Sequence, residues 1–130
     1  MTTRQPISTD AAPAAAGPYS QAIRAGDLVF TAGQLGIDPA TGALVGDDVA
    51  SQAERALRNL GAILEASGSG LDRLVKVTVF LADIGDWPAV NEVYGRLVPE
   101  PFPARSAFAV RALPLGARVE IEGVAAVGAG

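Results

Sequence analysis

Apolar residues recur along this chain with two different periods, and each period predicts one kind of element. Helical spacing predicts a first helix that begins at Asp47 or Asp48, either of which can cap it, and stops at Gly68, where a left-handed end suits glycine. Its apolar stripe consists of Ala53, Leu57, Leu60 and Leu64, widened by Ala56 and Ile63. The stripe predicts a helix that lies against a core.

A second helix is predicted between Asp86, taken as its cap, and Pro99, which ends it. Pro88 falls in its first turn, a position that tolerates proline because the missing N–H would have no helical partner there. The apolar stripe of this helix consists of Val90, Val93, Tyr94 and Leu97. We therefore expect a second, shorter helix with one buried face.

Alternation with a period of two predicts the strands. The strongest is 74–81, in which Val75, Val77, Val79 and Leu81 are expected on one face, with Lys76 and Thr78 on the other. A strand over 28–33 is followed by a turn at 38–42 and a return at Leu44 and Val45, which makes a hairpin plausible. Two final strands are expected at about 105–110 and 118–127.

The resulting order, β-β-α-β-α-β-β, predicts an α+β fold with a single sheet and both helices on one face. The other face is also expected to be partly apolar, judged from Val75, Val77, Val79, Ala107, Ala109 and Ala125. One layer of helices cannot cover both faces of a sheet. The pattern therefore favours an oligomer in which sheets of several subunits pack together.

Length and composition add expectations about the number of domains, the partners and the location of the protein. We expect residues 1–130 to form one domain, with 1–16 as an extended, Ala/Pro-rich lead-in and not a signal peptide. The net charge of −4 and the basic residues scattered along the sequence make nucleic acid an unfavourable partner. No apolar run reaches ~18 residues, so we expect no membrane helix and a cytoplasmic protein.

The chain contains no histidine and no cysteine. Imidazole bases, cysteine nucleophiles, Ser-His-Asp triads and the usual zinc ligands are thereby excluded.

Arg105 stands at the start of an otherwise apolar strand, after the sequence Pro-Phe-Pro-Ala. With Ala107 and Ala109 on its face, the guanidinium has open volume around it and could grip a carboxylate through two hydrogen bonds. It could equally pair with Glu120 or Glu122 on the last strand. If the two final strands pair antiparallel, Arg105 and Glu120 can share a face, but the sequence leaves their register open.

Three weaker signals accompany the arginine. The turn before Tyr19 presents an aromatic hydroxyl, and Ala32 with Gly33 ends a strand in a way that exposes backbone to close approach. Asn91 lies near the start of the second helix. Each of these patterns is common in ordinary turns and helix ends.

Together the motifs resemble those of the Rid family of enamine/imine deaminases over about residues 9–127. The matching segments are Ala16 to Gln21, Thr31 to Gln34, Val75 to Phe80, Val90-Asn91, Phe102 to Ser106 and Val119 to Glu122. The resemblance implies a chorismate-mutase-like fold in a homotrimer, with the sheets forming an inner barrel and active sites between subunits. It also implies hydrolysis of 2-imino acids such as 2-iminopropanoate and 2-iminobutanoate to 2-oxo acids and ammonia, with no metal and no organic cofactor.

The resemblance also implies roles for individual residues. Arg105 would bind the substrate carboxylate, Glu120 would orient a water together with the backbone carbonyl of Ala107, and Tyr19 would close the pocket. Asn91, Gly33 and Ala32 would shape the rest of the cleft. Many family members have serine where this chain has Ala32 and cysteine where it has Ala107. The first difference removes a possible hydrogen bond to substrate and bears on substrate preference.

The sequence is also compatible with two other functions. The same cleft could serve a regulatory trimer that binds a small carboxylate without converting it. A ribonuclease is the third reading, and it is disfavoured by the acidic charge and the absence of histidine.

Overall fold

Two α-helices cover one face of a mixed β-sheet in the computed structural model, which describes residues 3–128. The strands are β1 (Arg4–Ile7), β2 (Ala22–Ala25), β3 (Leu28–Thr31), β4 (Gln34–Leu35), β5 (Leu74–Leu81), β6 (Ala104–Ala109) and β7 (Val119–Ala126), and the helices are α1 (Val49–Ala66) and α2 (Trp87–Leu97). The sheet order is β1-β2-β3-β7-β5-β6, and β4 also pairs with β7. The predicted α+β fold with one sheet and two helices on one face is confirmed.

The first helix begins and ends where the sequence predicts. Asp48 caps it, because its carboxylate accepts a hydrogen bond from the Ser51 amide at 2.9 Å. Gly68 follows the helix with a φ of 81°, the left-handed conformation that glycine adopts at little cost. The apolar stripe of α1 is fully buried against the sheet and α2.

Asp86 does not cap the second helix as predicted. It occupies the cap position, but its side chain makes no capping hydrogen bond. Its carboxylate instead accepts from Arg118 Nη2 at 3.1 and 3.2 Å, because the start of β7 lies beside the start of α2. The interaction ties the loop before β7 to the loop before α2.

The two final strands do not pair with each other, so the expected antiparallel pairing of 105–110 with 118–127 is wrong. β5 lies between them, parallel to β6 and antiparallel to β7. The cause is α2, which crosses over the sheet and so returns the chain parallel to β5. Only the other edge of β5 is then open to β7.

The sheet face opposite the helices does carry apolar side chains, although most of them are not the predicted ones. Val77, Val79 and Ala125 are buried beneath the helices. A register shift between Leu74 and Lys76 turns Val75 away from them, so that Val75 is exposed. Exposed apolar side chains on strands β3, β5 and β6 are Leu28, Phe30, Val75 and Phe108.

Two short N-terminal strands, β1 and β2, were not predicted from the sequence. β1 lies inside the expected lead-in and pairs antiparallel with β2, which pairs in turn with β3. Both are only four residues long, and Pro6 in β1 is typical of an edge strand. The predicted hairpin after β3 reduces to a single bridge between Ile37 and Leu44 around the turn at 38–42.

Buried amide side chains attach the surface loops to this framework. Gln21 donates from Nε2 to the Thr9 carbonyl at 3.0 Å and to the Pro13 carbonyl at 2.7 Å. Asn59 on α1 donates from Nδ2 to the Leu35 and Ile37 carbonyls at 3.2 and 2.9 Å. These bonds fix the positions of segments 9–13 and 35–37. Neither helix within 3–128 has the length and hydropathy needed to cross a bilayer.

Candidate active site

A cavity of about 660 Å³ surrounds the side chain of Glu120 on β7. We call it the Glu120 cavity, and its lining includes Tyr19, Ala32, Gly33, Leu115 and Glu120. The structure thus brings together four residues that the sequence nominated separately. Leu115 is an addition that the sequence did not signal. It is 68% exposed and has a φ of 60°, which is unusual for a branched residue.

The strand ladder is interrupted where this cavity opens. β3 and β4 pair with the same edge of β7, and the two residues between them, Ala32 and Gly33, leave the ladder. The Glu120 carboxylate fills the space over Gly33: a Cβ at position 33 would lie 1.9 Å from Glu120 Oε2. Glycine is therefore required here for close approach and not for its backbone angles.

The surroundings of Glu120 disfavour the ionised form of its carboxyl. Burial raises its pKa above the ordinary range, and the charge of Glu122 on the same strand raises it further. A carboxyl with a raised pKa is a stronger base once it is ionised. Tyr19, more than half exposed beside it, accepts a hydrogen bond on its hydroxyl from the Ala16 amide at 3.4 Å.

A second cavity, of about 500 Å³, lies beside Arg105 on β6. This Arg105 cavity is lined by Asn91, Tyr94, Gly95, Phe102, Pro103 and Arg105. Arg105 donates from Nη1 to Asn91 Oδ1 at 2.9 Å, and its guanidinium carbon lies 4.6 Å from the centre of the Trp87 ring and 4.8 Å from that of Tyr94. Trp87 and Tyr94 are contacts that the sequence did not predict.

Arg105 and Glu120 lie on opposite faces of the sheet, which corrects the expectation that they could share one. Arg105 is aligned with Val77 on β5, and Glu120 is aligned with Phe80 on the same strand. Directly aligned residues project from the same face, whereas positions 77 and 80 of one strand project from opposite faces. Val77 faces the helices, so Arg105 does too, and Glu120 faces the uncovered side.

Neither predicted ion pair of Arg105 forms. Within residues 3–128, no carboxylate lies within salt-bridge distance of its guanidinium. Ala107 follows on the same strand face, half-buried and aligned with Val79, and it lines neither of the two cavities. In that same part of the chain, no three acidic side chains converge as metal ligands would.

Comparison with known proteins identifies the family. Residues 9–127 match the family described as Endoribonuclease L-PSP. The chain belongs to this family. Members include proteins named for imine deamination: the 2-iminobutanoate/2-iminopropanoate deaminase of Capra hircus is 52% identical over 125 residues, covering 96% of this chain and 91% of the goat protein. The resemblance to Rid proteins is thereby confirmed.

Solved structures of similar proteins share the fold. RidA from an Antarctic Psychrobacter superposes with a TM-score of 0.92 at 47% identity, covering 95% of this chain and 100% of that one. TdcF of E. coli with bound serine has a TM-score of 0.91 at 38% identity, covering 95% of this chain and 99% of that one. A member of the fold therefore holds a small molecule that bears a carboxylate.

Proposed function

We propose that this chain hydrolyses 2-imino acids of the size of 2-iminopropanoate and 2-iminobutanoate to the corresponding 2-oxo acids. Water adds to the imine carbon, the C–N bond then breaks, and ammonia leaves as the C=O bond forms. One observation carries the proposal: a guanidinium with no carboxylate partner among residues 3–128 and a carboxyl with a raised pKa each line a cavity. A substrate with an anionic end and an electrophilic carbon needs both groups.

Arg105 binds the substrate carboxylate in this proposal. Its guanidinium presents parallel N–H donors that match two carboxylate oxygens, and this bidentate contact fixes the position of the adjacent imine carbon. A protonated imine is already a strong electrophile. Position and a directed water therefore suffice, which agrees with a chain that lacks histidine and cysteine.

Glu120 orients the attacking water and takes its proton, and the ammonia group leaves with a proton returned from the same carboxyl. Gly33 lets the carboxylate reach the cavity, and the Tyr19 hydroxyl lies close enough to the opening to contact the substrate. Ala32, which has no hydroxyl, and the exposed Leu115 both line the Glu120 cavity and make this part of its lining apolar. We infer a preference for imines with an apolar side chain.

The complete site lies between two copies of the chain. Since Arg105 and Glu120 face opposite sides of one sheet, one subunit supplies the Arg105 cavity with Asn91, and its neighbour supplies Glu120, Tyr19 and Gly33. A contact between two different surfaces closes into a ring when the rotation fits. A homotrimer with the apolar open faces packed at its centre would bury Phe30 and Phe108 and contain three such sites.

The function is tested with imine made in place. An amino-acid oxidase converts 2-aminobutanoate to 2-iminobutanoate, and semicarbazide traps whatever imine survives. We expect the wild-type protein to lower the yield of the imine-derived semicarbazone in proportion to enzyme concentration, with ammonia release accelerated to match. If the yield stays unchanged while the protein binds 2-oxobutanoate, the protein is a carboxylate-binding module and not a deaminase.

The raised pKa of Glu120 predicts the acid side of the pH profile. The carboxylate form is the base, so kcat/KM should fall as pH drops through a pKa above the ordinary 4.5. Burial is the larger cause and Glu122 the smaller one. Replacing Glu122 with glutamine should therefore move the acid limb to lower pH without abolishing turnover, as measured by the trapping assay. An acid limb that is unmoved by Glu122→Gln and persists in Glu120→Gln would remove Glu120 from the role.

A ribonuclease is the competing activity, since it is the one in the family's description. Two arginines of α1 and one of α2 do line one depression along the helices: Arg55, Arg58 and Arg96. However, Glu54 pairs with Arg58 at 3.3 Å and with Arg96 at 3.7 Å, which partly neutralises this patch. RNA cleavage that persists through purification and falls with Arg96→Glu would favour this activity.

A further inference from the structure

Three side chains on one face of α2 surround the guanidinium of Arg105. Trp87, Asn91 and Tyr94 are spaced by four and three residues, so they project from the same side of the helix. The guanidinium carbon lies within 5 Å of the centres of both aromatic rings, at 4.6 and 4.8 Å, and Nη1 donates to the Asn91 side-chain oxygen at 2.9 Å. We call these three residues the guanidinium support.

The chemistry of this support differs from that of an ion pair. Aromatic faces attract a cation through the ring quadrupole, but they accept few of its N–H groups as hydrogen-bond donors. The neutral amide of Asn91 accepts a hydrogen bond from only one of the guanidinium N–H groups. Burial raises the pKa of Tyr94, so its hydroxyl stays protonated and offers Arg105 no negative charge. The positive charge is held in place yet not neutralised, and the remaining donors stay available to an incoming carboxylate.

The two aromatic side chains of the guanidinium support differ in how deeply they are buried. Tyr94 is 2% exposed and packs in the core, while Trp87 is half-buried at the start of α2. The Tyr94 hydroxyl has no hydrogen-bond partner among residues 3–128. Because Tyr94 is packed in the core, the position of its ring beside the guanidinium is fixed by that packing.

We propose that Trp87, with Asn91 and Tyr94, is a positioning residue that orients Arg105 for the substrate carboxylate before substrate arrives. This inference rests on the proposed function, because it assigns the ligand of Arg105. It also changes the role of Asn91 from a group that contacts substrate to one that holds the arginine. An arginine fixed in this way loses little further side-chain freedom when a carboxylate binds.

The test compares Trp87→Phe with Trp87→Leu. Leucine removes the π face, so we expect Kd for 2-oxobutanoate and KM for the imine to rise about fivefold to tenfold, with kcat changed less. Phenylalanine keeps a ring and should recover most of that loss. Calorimetry gives Kd and the trapping assay gives KM and kcat. A leucine variant with wild-type Kd and KM would overturn the inference.

A second measurement does not depend on the leucine variant folding. Trp87 is the only tryptophan of the chain, so its fluorescence reports on the arginine beside it. We expect the emission spectrum to differ between wild type and Arg105→Leu without ligand, and to change when 2-oxobutanoate is added to wild type only. Identical spectra in all four samples would show that Trp87 does not contact Arg105.

Failure of this inference is distinguishable from failure of the proposed function. If wild type neither binds 2-oxobutanoate nor lowers the semicarbazone yield, the proposed function fails, and the positioning role fails with it. If wild type does both while Trp87→Leu matches it in Kd and KM, only the positioning role fails. Arg105 then binds the carboxylate without help from the ring.

Discussion

Replacing Arg105 with lysine should lower kcat/KM for 2-iminobutanoate about 10- to 100-fold, and replacing it with alanine should lower it about a thousandfold. An ammonium cannot form the bidentate contact, and losing one charged hydrogen bond costs about 1.5–3 kcal/mol. The alanine variant loses both bonds and the charge. The trapping assay measures the loss, and Kd for 2-oxobutanoate should rise in parallel.

Arg58→Lys provides the matched control. Arg58 is exposed on α1, and its pairing with Glu54 at 3.3 Å is a surface interaction worth at most about 1 kcal/mol. The same substitution there should leave kcat/KM at the wild-type value. Equal losses at both positions would mean that the assay responds to general damage, and a wild-type Arg105→Lys would refute the carboxylate role.

Mixing two inactive variants tests whether neighbouring chains share each site. Arg105→Ala keeps an intact Glu120, and Glu120→Gln keeps an intact Arg105. If the two are unfolded together in equal amounts and refolded, about a quarter of the shared sites should combine one intact residue from each chain. Activity should recover to about that fraction. No recovery from a mixture shown to form mixed oligomers would mean that a working site does not combine Arg105 of one chain with Glu120 of another.

Replacing Gly33 with alanine should reduce kcat about as much as removing the Glu120 carboxylate, at little cost in stability. The new Cβ would lie 1.9 Å from Oε2 and 2.8 Å from Cδ of Glu120, so the carboxylate must move. Only the end of a flexible side chain is displaced, and the melting temperature should fall by no more than a few degrees (~1 kcal/mol). In a Glu120→Ala background, Gly33→Ala should cost almost nothing more.

Gly36→Ala is the contrasting control. A Cβ at position 36 would lie 2.6 Å from Cα and from the carbonyl oxygen of Gln52, which are backbone atoms of α1 and cannot turn away. We expect this variant to lose stability first, by about 2 kcal/mol or more, and to lose activity only as it unfolds. If Gly33→Ala showed the same profile, Gly33 would be a packing residue and not one that admits the Glu120 carboxylate.

Sequence reasoning was most successful for elements set by local chemistry. The first helix begins at its aspartate cap and ends at its glycine, and Leu74–Leu81 has the predicted bounds. The residues that specify each of these two elements lie within one continuous segment of the chain. The short strands β1 and β2 were missed because four residues carry too little periodic signal, and their stability comes from pairing with β3.

The motifs named residues that the structure places at two cavities, but they did not show which residues share a cavity. Gly33 and Glu120 meet in one cavity, and Asn91 meets Arg105. Trp87 and Tyr94 were overlooked as partners of Arg105, since aromatic residues at helical spacing usually mark a core. The spacing of Trp87, Asn91 and Tyr94 on one helix face was the available signal.

The sequence by itself determined the helix limits, the strand 74–81, the lack of histidine and cysteine chemistry, and the motifs that identify the family. Only the tertiary structure decided that β5 separates β6 from β7, and hence that Arg105 and Glu120 face opposite sides of the sheet. Strand order and register arise from contacts between residues far apart in the chain, and a shift of one residue exchanges the two faces. Local patterns carry no information about that choice.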